Sequence, residues 1–253
     1  MERFGPFADA LADATLQPAL VKLSVYSADT AQPPLMGALV DAALARRLRE
    51  LTLEQCAPPA AGPLARLLAD GSLAVFKVLP PGDAPMFDAA GAALVADALR
   101  VNSTLTELVL CAADLCLDMR VAELLLGALV GHRSLRLFRF TEDYAVGENL
   151  GAFGAALAAL IAANAPALHV LVCLCNSLDD AGLAPIVEAL ALNNHLRELD
   201  VRWNSMSDEF ARERLLPAVR ANTSLRLLLC ADNHTGPAAA EAEELVRRRW
   251  QHD

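Results

Sequence analysis

Aromatic residues are scarce in this chain: Phe, Trp and Tyr supply 5% of its 253 residues, with two Trp and two Tyr. A core built on stacked rings is excluded, so Leu, Ala and Val must fill the interior. Cations are short as well. Lys and Arg number 21 against 31 Asp and Glu, a formal net charge of -10. Such a surface repels phosphate backbones and argues against nucleic acid as a partner. No uncharged apolar run reaches the roughly 18 residues that a membrane-spanning helix needs. The longest, Gly151 to Ala163, is Ala-rich and reads as a buried helix. The stretch Met1-Glu2-Arg3-Phe4-Gly5-Pro6 shows no basic region followed by a long apolar run, so no secretory signal is expected and the cytoplasm is the expected location, with no membrane partner.

Reactive constellations are missing too. The five His (His132, His169, His195, His234, His252) make no zinc-type spacing, and no Gly-rich phosphate loop is present. Six Cys stand at 56, 111, 116, 173, 175 and 230, a count that does not imply disulfides in a chain of this length. Cys173 and Cys230 fall where core leucines are expected and read as small hydrophobes. Cys111 and Cys175 are expected to be exposed on the concave side, with no His in an adjacent column to activate them. No cofactor, no metal and no enzymatic activity are expected. Asn102-Ser103-Thr104, Asn222-Thr223-Ser224 and Asn233-His234-Thr235 match the glycosylation pattern, but the first two sit at a recurrent position that explains them without sugar.

What the chain does have is apolar content, 55% against 21% charged, enough for a sizeable core and too much for disorder. That content is periodic. A block Leu-x-x-Leu-x-Leu begins at Leu20, Leu48, Leu73, Leu105, Leu135, Leu168, Leu196 and Leu225, at intervals of 25 to 33 residues. The clearest copy runs Leu196-Arg197-Glu198-Leu199-Asp200-Val201-Arg202-Trp203-Asn204. Alternating apolar residues mark a strand with one buried face. The ninth position holds Asn176, Asn204 and Asn233, with Cys56 in the second copy. An amide there can bond neighbouring backbone, and stacked copies would form a ladder. Ala28, Pro81, Ala113 and Asp143 interrupt it. Each block is followed by an Ala/Leu helix such as Asp180 to Leu190. Asn102, Asn193 and Asn222 stand three residues before the next strand leucine, and the expectation is that they end the helices in the left-handed conformation that Asn tolerates.

One strand and one helix cannot bury their own apolar faces, so the units must stack. The expected fold is an α/β, right-handed βα-solenoid, with parallel strands concave and helices convex. Residues 1–19 would form an N-terminal helical cap, 20–235 eight repeats, and 236–253 a C-terminal capping helix whose Glu241, Glu243 and Glu244 precede Arg247, Arg248 and Arg249, the order that suits the helix dipole.

The blocks Leu168 to Asn176 and Leu196 to Asn204, each followed by a helix closing on Ala-Leu or Ala-Val and Asn, resemble the ribonuclease-inhibitor subtype of leucine-rich repeats. The resemblance covers about residues 20 to 235. It implies a horseshoe that binds a protein partner of unknown identity through its concave face, and as an alternative a GTPase regulator. The candidate contacts come from the outward strand positions: Lys77, Val109, Arg139, Val172, Leu174, Asp200, Arg202 and Leu229, with Trp203 on the rim. From the third repeat onward this face is apolar, which marks an interaction surface or simply suits parallel strands. Trp203 either packs on Cys175 and Asp232 or is presented to the partner. A homodimer burying the same face is also open.

Overall fold

A computed structural model describes residues 21–26, 33–56, 59–80, 86–111, 118–141, 150–233 and 236–251. The expected cap over 1–19, with Glu142, Asp143, Cys116, His234 and His252, lies outside them. Every Leu-x-x-Leu-x-Leu block yields a strand: β1 (Lys22–Tyr26), β2 (Glu50–Glu54), β3 (Val75–Leu79), β4 (Glu107–Cys111), β5 (Leu137–Thr141), β6 (Val170–Val172), β7 (Glu198–Asp200) and β8 (Leu227–Leu229). They form one parallel sheet in chain order. The intervening helices are α1 (Pro33–Ala45), α2 (Ala61–Ala69), α3 (Ala89–Val101), α4 (Met119–Leu129), α5 (Leu150–Ala162) and α6 (Asp180–Leu192). After β7 come α7 (Asp208–Phe210), a π-helical turn (Ala211–Leu215) and α8 (Leu216–Ala221); after β8 comes α9 (Pro237–Arg249). Each helix packs on that of the next repeat. This is an α/β solenoid, an architecture consistent with a leucine-rich-repeat protein.

The period-2 pattern of each strand fixes the register. The third positions pair in one continuous row, Lys22, Glu50, Val75, Glu107, Leu137, Val170, Glu198 and Leu227, and the fifth positions in another from Ser24 to Leu229. A slip of one residue would turn every core leucine outward. Between the rows, Leu51, Phe76, Leu108, Phe138, Leu171, Leu199 and Leu228 are buried in a single core with the inward helix faces. Phe138, Phe140 and Phe153, three of the few aromatics, fill it around the fifth repeat, with the Phe140 and Phe153 ring centroids 5.2 Å apart.

Two amide ladders tie the repeats. In the first, the Asn204 side chain accepts from the Asn176 and Leu178 N–H groups of the preceding repeat and donates to the Cys173 carbonyl at 2.9 Å. Asn233 does the same for the Asn204 and Met206 N–H groups and the Val201 carbonyl. Cys56 fills the slot as a thiol donating to the Glu54 carbonyl at 3.2 Å and the Val25 carbonyl at 3.6 Å.

The second ladder differs from the expectation. Asn102, Asn193 and Asn222 are not left-handed: their φ values are -67°, -78° and -72° with extended ψ. The side chain, not the backbone, ends the helix. Each Oδ1 accepts the N–H groups two and three residues on, and each Nδ2 donates to a carbonyl of the preceding helix: Leu68, Ile161 and Leu190 respectively. One amide thereby satisfies three backbone groups that the helix-to-strand turn orphans. Left-handed residues lie at other points of the repeat: Arg47, Gly71, Gly131 and Asn164 follow their helices with φ between 48° and 72°, and Gln55, Cys175, Trp203 and Asp232 at the eighth strand position have φ between 52° and 59°. At these four strands the twist at the eighth position starts the turn.

Helix starts use carboxylates and hydroxyls. Asp88, Asp118, Asp179 and Ser207 accept N–H groups of the first turn, and Asp180 accepts the Ser207 N–H and hydroxyl of the next repeat. α9 packs on β8 and α8. Glu243 accepts the Cys230 and Ala231 N–H groups at 2.6 and 2.9 Å, the Arg249 guanidinium donates to the Asn222 and Val219 carbonyls, and the Trp250 indole donates to the Leu225 carbonyl at 2.7 Å. No helix among the described residues is long and apolar enough to cross a membrane.

Candidate functional site on the open face of the sheet

The outward rows of third and fifth positions make the face opposite the helices. Because neighbouring strands lie about 4.8 Å apart, side chains of one row touch laterally, and most are half-buried rather than exposed.

The candidate residues divide by their partners. Lys77 on β3 is bound to Glu107 of β4 at 2.5 Å, and Lys22 on β1 to Glu50 of β2 at 2.9 Å. Val109 is buried at 7% exposure. Asp200, 6% exposed, is gripped by Arg202 of its own repeat: Nε at 3.0 Å and Nη2 at 2.7 Å, with the Arg202 N–H on Oδ1 at 3.1 Å. Its hydrogen bond to the Asp200 carboxylate raises the Arg202 pKa above the ordinary arginine value. A bidentate pair of this kind holds both side chains in place. Arg139 on β5 is exposed and makes no hydrogen bond or ion pair among the described residues. Leu174 is half-buried beyond the end of β6, and Val172 and Leu229 are half-buried in the fifth-position row.

Four of these nine meet. A hollow of about 200 Å³ opens between β5 and β8, lined by Arg139, Val172, Asp200 and Leu229 together with Val170, Glu198 and Leu227. Lys77, Val109, Leu174, Arg202 and Trp203 lie outside it. The third-position residues Val170, Glu198 and Leu227 were not among the candidates; their signal was the same register row, which sets Glu198 between Val170 and Leu227. Glu198 is exposed and, like Arg139, has no polar partner among the described residues.

Trp203 is 58% exposed, so of the two readings open in the sequence the packed one is not what the structure shows. Its φ of 56° belongs to the eighth position of the repeat rather than to the indole. The cysteines divide by burial. Burial pushes the Cys173 thiol up to about 12, with the Asp200 charge adding to it. Burial, then Glu243, raises Cys230 further. Both are poor thiolates, hence poor nucleophiles and poor metal ligands. Cys173 and Cys175 do not share a strand face, because β6 ends at Val172 and Cys175 adopts φ 59°. Among the described residues no cluster of three or more His, Cys, Asp or Glu could hold a metal.

No protein-family model matches the chain, and no curated protein does. A solved structure of an internalin (inlF) from Listeria monocytogenes str. 4b F2365 aligns over 91% of this chain and 89% of that one, at 13% identity with a TM-score of 0.29. A likeness this distant carries no argument about the site.

Proposed function

We propose that this chain is a non-enzymatic protein-interaction scaffold with ribonuclease-inhibitor-like repeats, acting in the cytoplasm and binding a partner protein through the sheet face between β5 and β8. The observation that carries the reading is the hollow there: apolar floor, two charges without partners among the described residues and open access, on a face whose other charges in the third- and fifth-position rows are paired. Buried, well-shaped recesses with a few polar groups are where interface energy concentrates. The cytoplasmic part rests on the sequons. Asn102 and Asn222 are 6% and 1% exposed and donate through the nitrogen a glycan would occupy, so this fold does not accommodate sugar there.

Affinity capture with the wild type and with an Arg139→Glu/Leu227→Glu variant tests the proposal. Both residues are exposed, so the fold is expected to survive and the capture of specific partners to fall. Unchanged capture of every partner sinks it. Arg202→Glu would not serve, since it strands Asp200 beside a second carboxylate. Light scattering belongs beside this test: a dimer abolished by Leu227→Glu would make a second copy the partner. A GTPase regulator would need a polar rim with an asparagine or arginine to offer in trans. Arg202 is held by Asp200, which leaves Arg139 as the unpaired arginine of the outward strand positions among the described residues.

A further inference from the structure

Besides Asp200, which Arg202 neutralises, the hollow holds two charges of opposite sign on either side of an apolar floor. Arg139 is on β5 and Glu198 on β7, with Val170 and Val172 of β6 between them. Two strand spacings and an offset of two residues set their Cα atoms roughly 12 Å apart. Every other charge in rows three and five has found a counter-ion: Lys22 with Glu50, Lys77 with Glu107, Asp200 with Arg202. A cavity of roughly 150 Å³ accommodates benzene, so the 200 Å³ here has room for one leucine or phenylalanine side chain.

The strands beneath are interior. β5, β6 and β7 are paired on both sides, so they offer no backbone edge to an extended peptide. An extended segment laid on this floor would find no strand edge to pair with, so its N–H and C=O groups would depend on side chains and water. A helix satisfies its backbone internally, and residues seven apart on one helix face are about 10.5 Å apart along the axis, close to the separation of the two charges.

Resting on the reading of this face as the binding surface, we infer that the occupant is an amphipathic helix of a partner protein carrying an acidic residue, an apolar residue about one turn on, and a basic residue about two turns on. The carboxylate meets Arg139, the apolar side chain enters the hollow over Val170, Val172 and Leu229, and the cation meets Glu198.

The test uses the full chain and cross-linked helical peptides of one Ala/Gln host, followed by fluorescence anisotropy. One peptide carries Glu, Leu and Arg at i, i+4 and i+7; a second replaces Leu by Ala; a third replaces Glu by Lys; a fourth is the first without the cross-link and with a central Pro. The first is expected to bind, and the second and fourth at least about tenfold more weakly. The Arg139→Glu protein is expected to reverse the order of the first and third by a similar factor, since opposed charges at an interface penalise the wrong partner. No binding up to millimolar peptide, equal binding of the first and third to both proteins, or binding of the Pro peptide as tight as that of the first overturns the inference. If the peptides fail while Arg139→Glu/Leu227→Glu still abolishes capture of whole partners, the helix chemistry falls and the scaffold reading stands.

Discussion

Gly154 has no room for a methyl group. A Cβ built there would sit 1.8 Å from the Gly182 carbonyl oxygen, because α5 and α6 approach backbone to backbone at this pair. Gly182 is itself confined, its Cβ position being 2.9 Å from Leu178 and 3.1 Å from the Leu150 carbonyl. Gly154→Ala must push two helices apart. Overpacking of cores costs about 1–3 kcal/mol, and contact with rigid backbone puts this case at the upper end, about 3 kcal/mol. A thermal melt should fall by roughly 6–12 °C for a chain of this size. Gly151→Ala, with nothing within 4 Å of its Cβ position, is the control that should not fall. His132 is a second residue-scale case. It occupies the slot of Asn102, Asn193 and Asn222, and its Nδ1 accepts the Leu135 N–H at 3.2 Å. Protonation would place a second hydrogen against that donor. Burial lowers its pKa, partly offset by the Leu99 carbonyl. The folded pKa therefore lies below the unfolded value of about 6.5, and the unfolded chain binds more protons below that pH. The stability from neutral His132 is complete above about pH 6.5 and is lost as pH falls through the folded pKa. Denaturant melts from pH 7 to 5 should show His132→Asn losing less stability than the wild type; parallel curves would refute this.

The amide ladder at the helix ends is a property of the elements rather than of any one residue. It breaks between the fifth and sixth repeats. Ala165 stands three residues before Leu168, where three other repeats have Asn and one has His. A crevice too narrow to hold a water lies at this point, lined by Leu129, Gly131, His132, Leu135, Leu160, Ala165 and Leu168. Pro166 follows, and a residue before Pro favours the extended conformation that the ladder asparagines adopt. Ala165→Asn should accordingly extend the ladder, accepting the Ala167 N–H, replacing the Ala165 carbonyl as acceptor of the Leu168 N–H, now at 3.2 Å, and donating toward the Leu129 carbonyl. The expected gain is about 1 kcal/mol, the net worth of a well-made hydrogen bond, read as a rise in denaturant midpoint. A fall would mean that the surrounding side chains do not give way to the amide. The ladder also shows what could be read in advance. The spacing of Asn102, Asn193 and Asn222 was plain in the sequence, and so was the row in which Arg139, Val172, Asp200 and Leu229 lie, because a period of two fixes which side chains share a face. The conformation of those asparagines was not, since Asn suits both a left-handed backbone and a side-chain cap and the choice depends on a carbonyl one repeat away. Nor was the Asp200–Arg202 pair, or the isolation of Glu198 beside its apolar neighbours. Pattern decides the face on which a charge stands, while its partner depends on rotamers and on the strand beside it.

At the scale of the molecule, each repeat touches its neighbours and little else, so loosening one end should not be felt several repeats away. Two buried thiols report this directly. Cys173 sits in the core behind β6 and is fully buried. Cys230 follows β8, equally buried, with its thiol on the Ala239 carbonyl and its N–H on Glu243, both from α9. In the intact chain both should resist a thiol reagent at neutral pH, because burial holds them protonated and out of reach. Removing α9 uncovers β8, deprives the Cys230 and Ala231 N–H groups of Glu243 and leaves the Leu225 carbonyl without the Trp250 indole. Truncation after Asn233 should therefore bring Cys230 to near-complete labelling while Cys173, two strands inward, stays protected, as read by mass spectrometry of digested protein over a time course. Joint labelling of both at one rate would show that the solenoid opens as a single cooperative unit, and that α9 stabilises the whole stack rather than closing its last repeat.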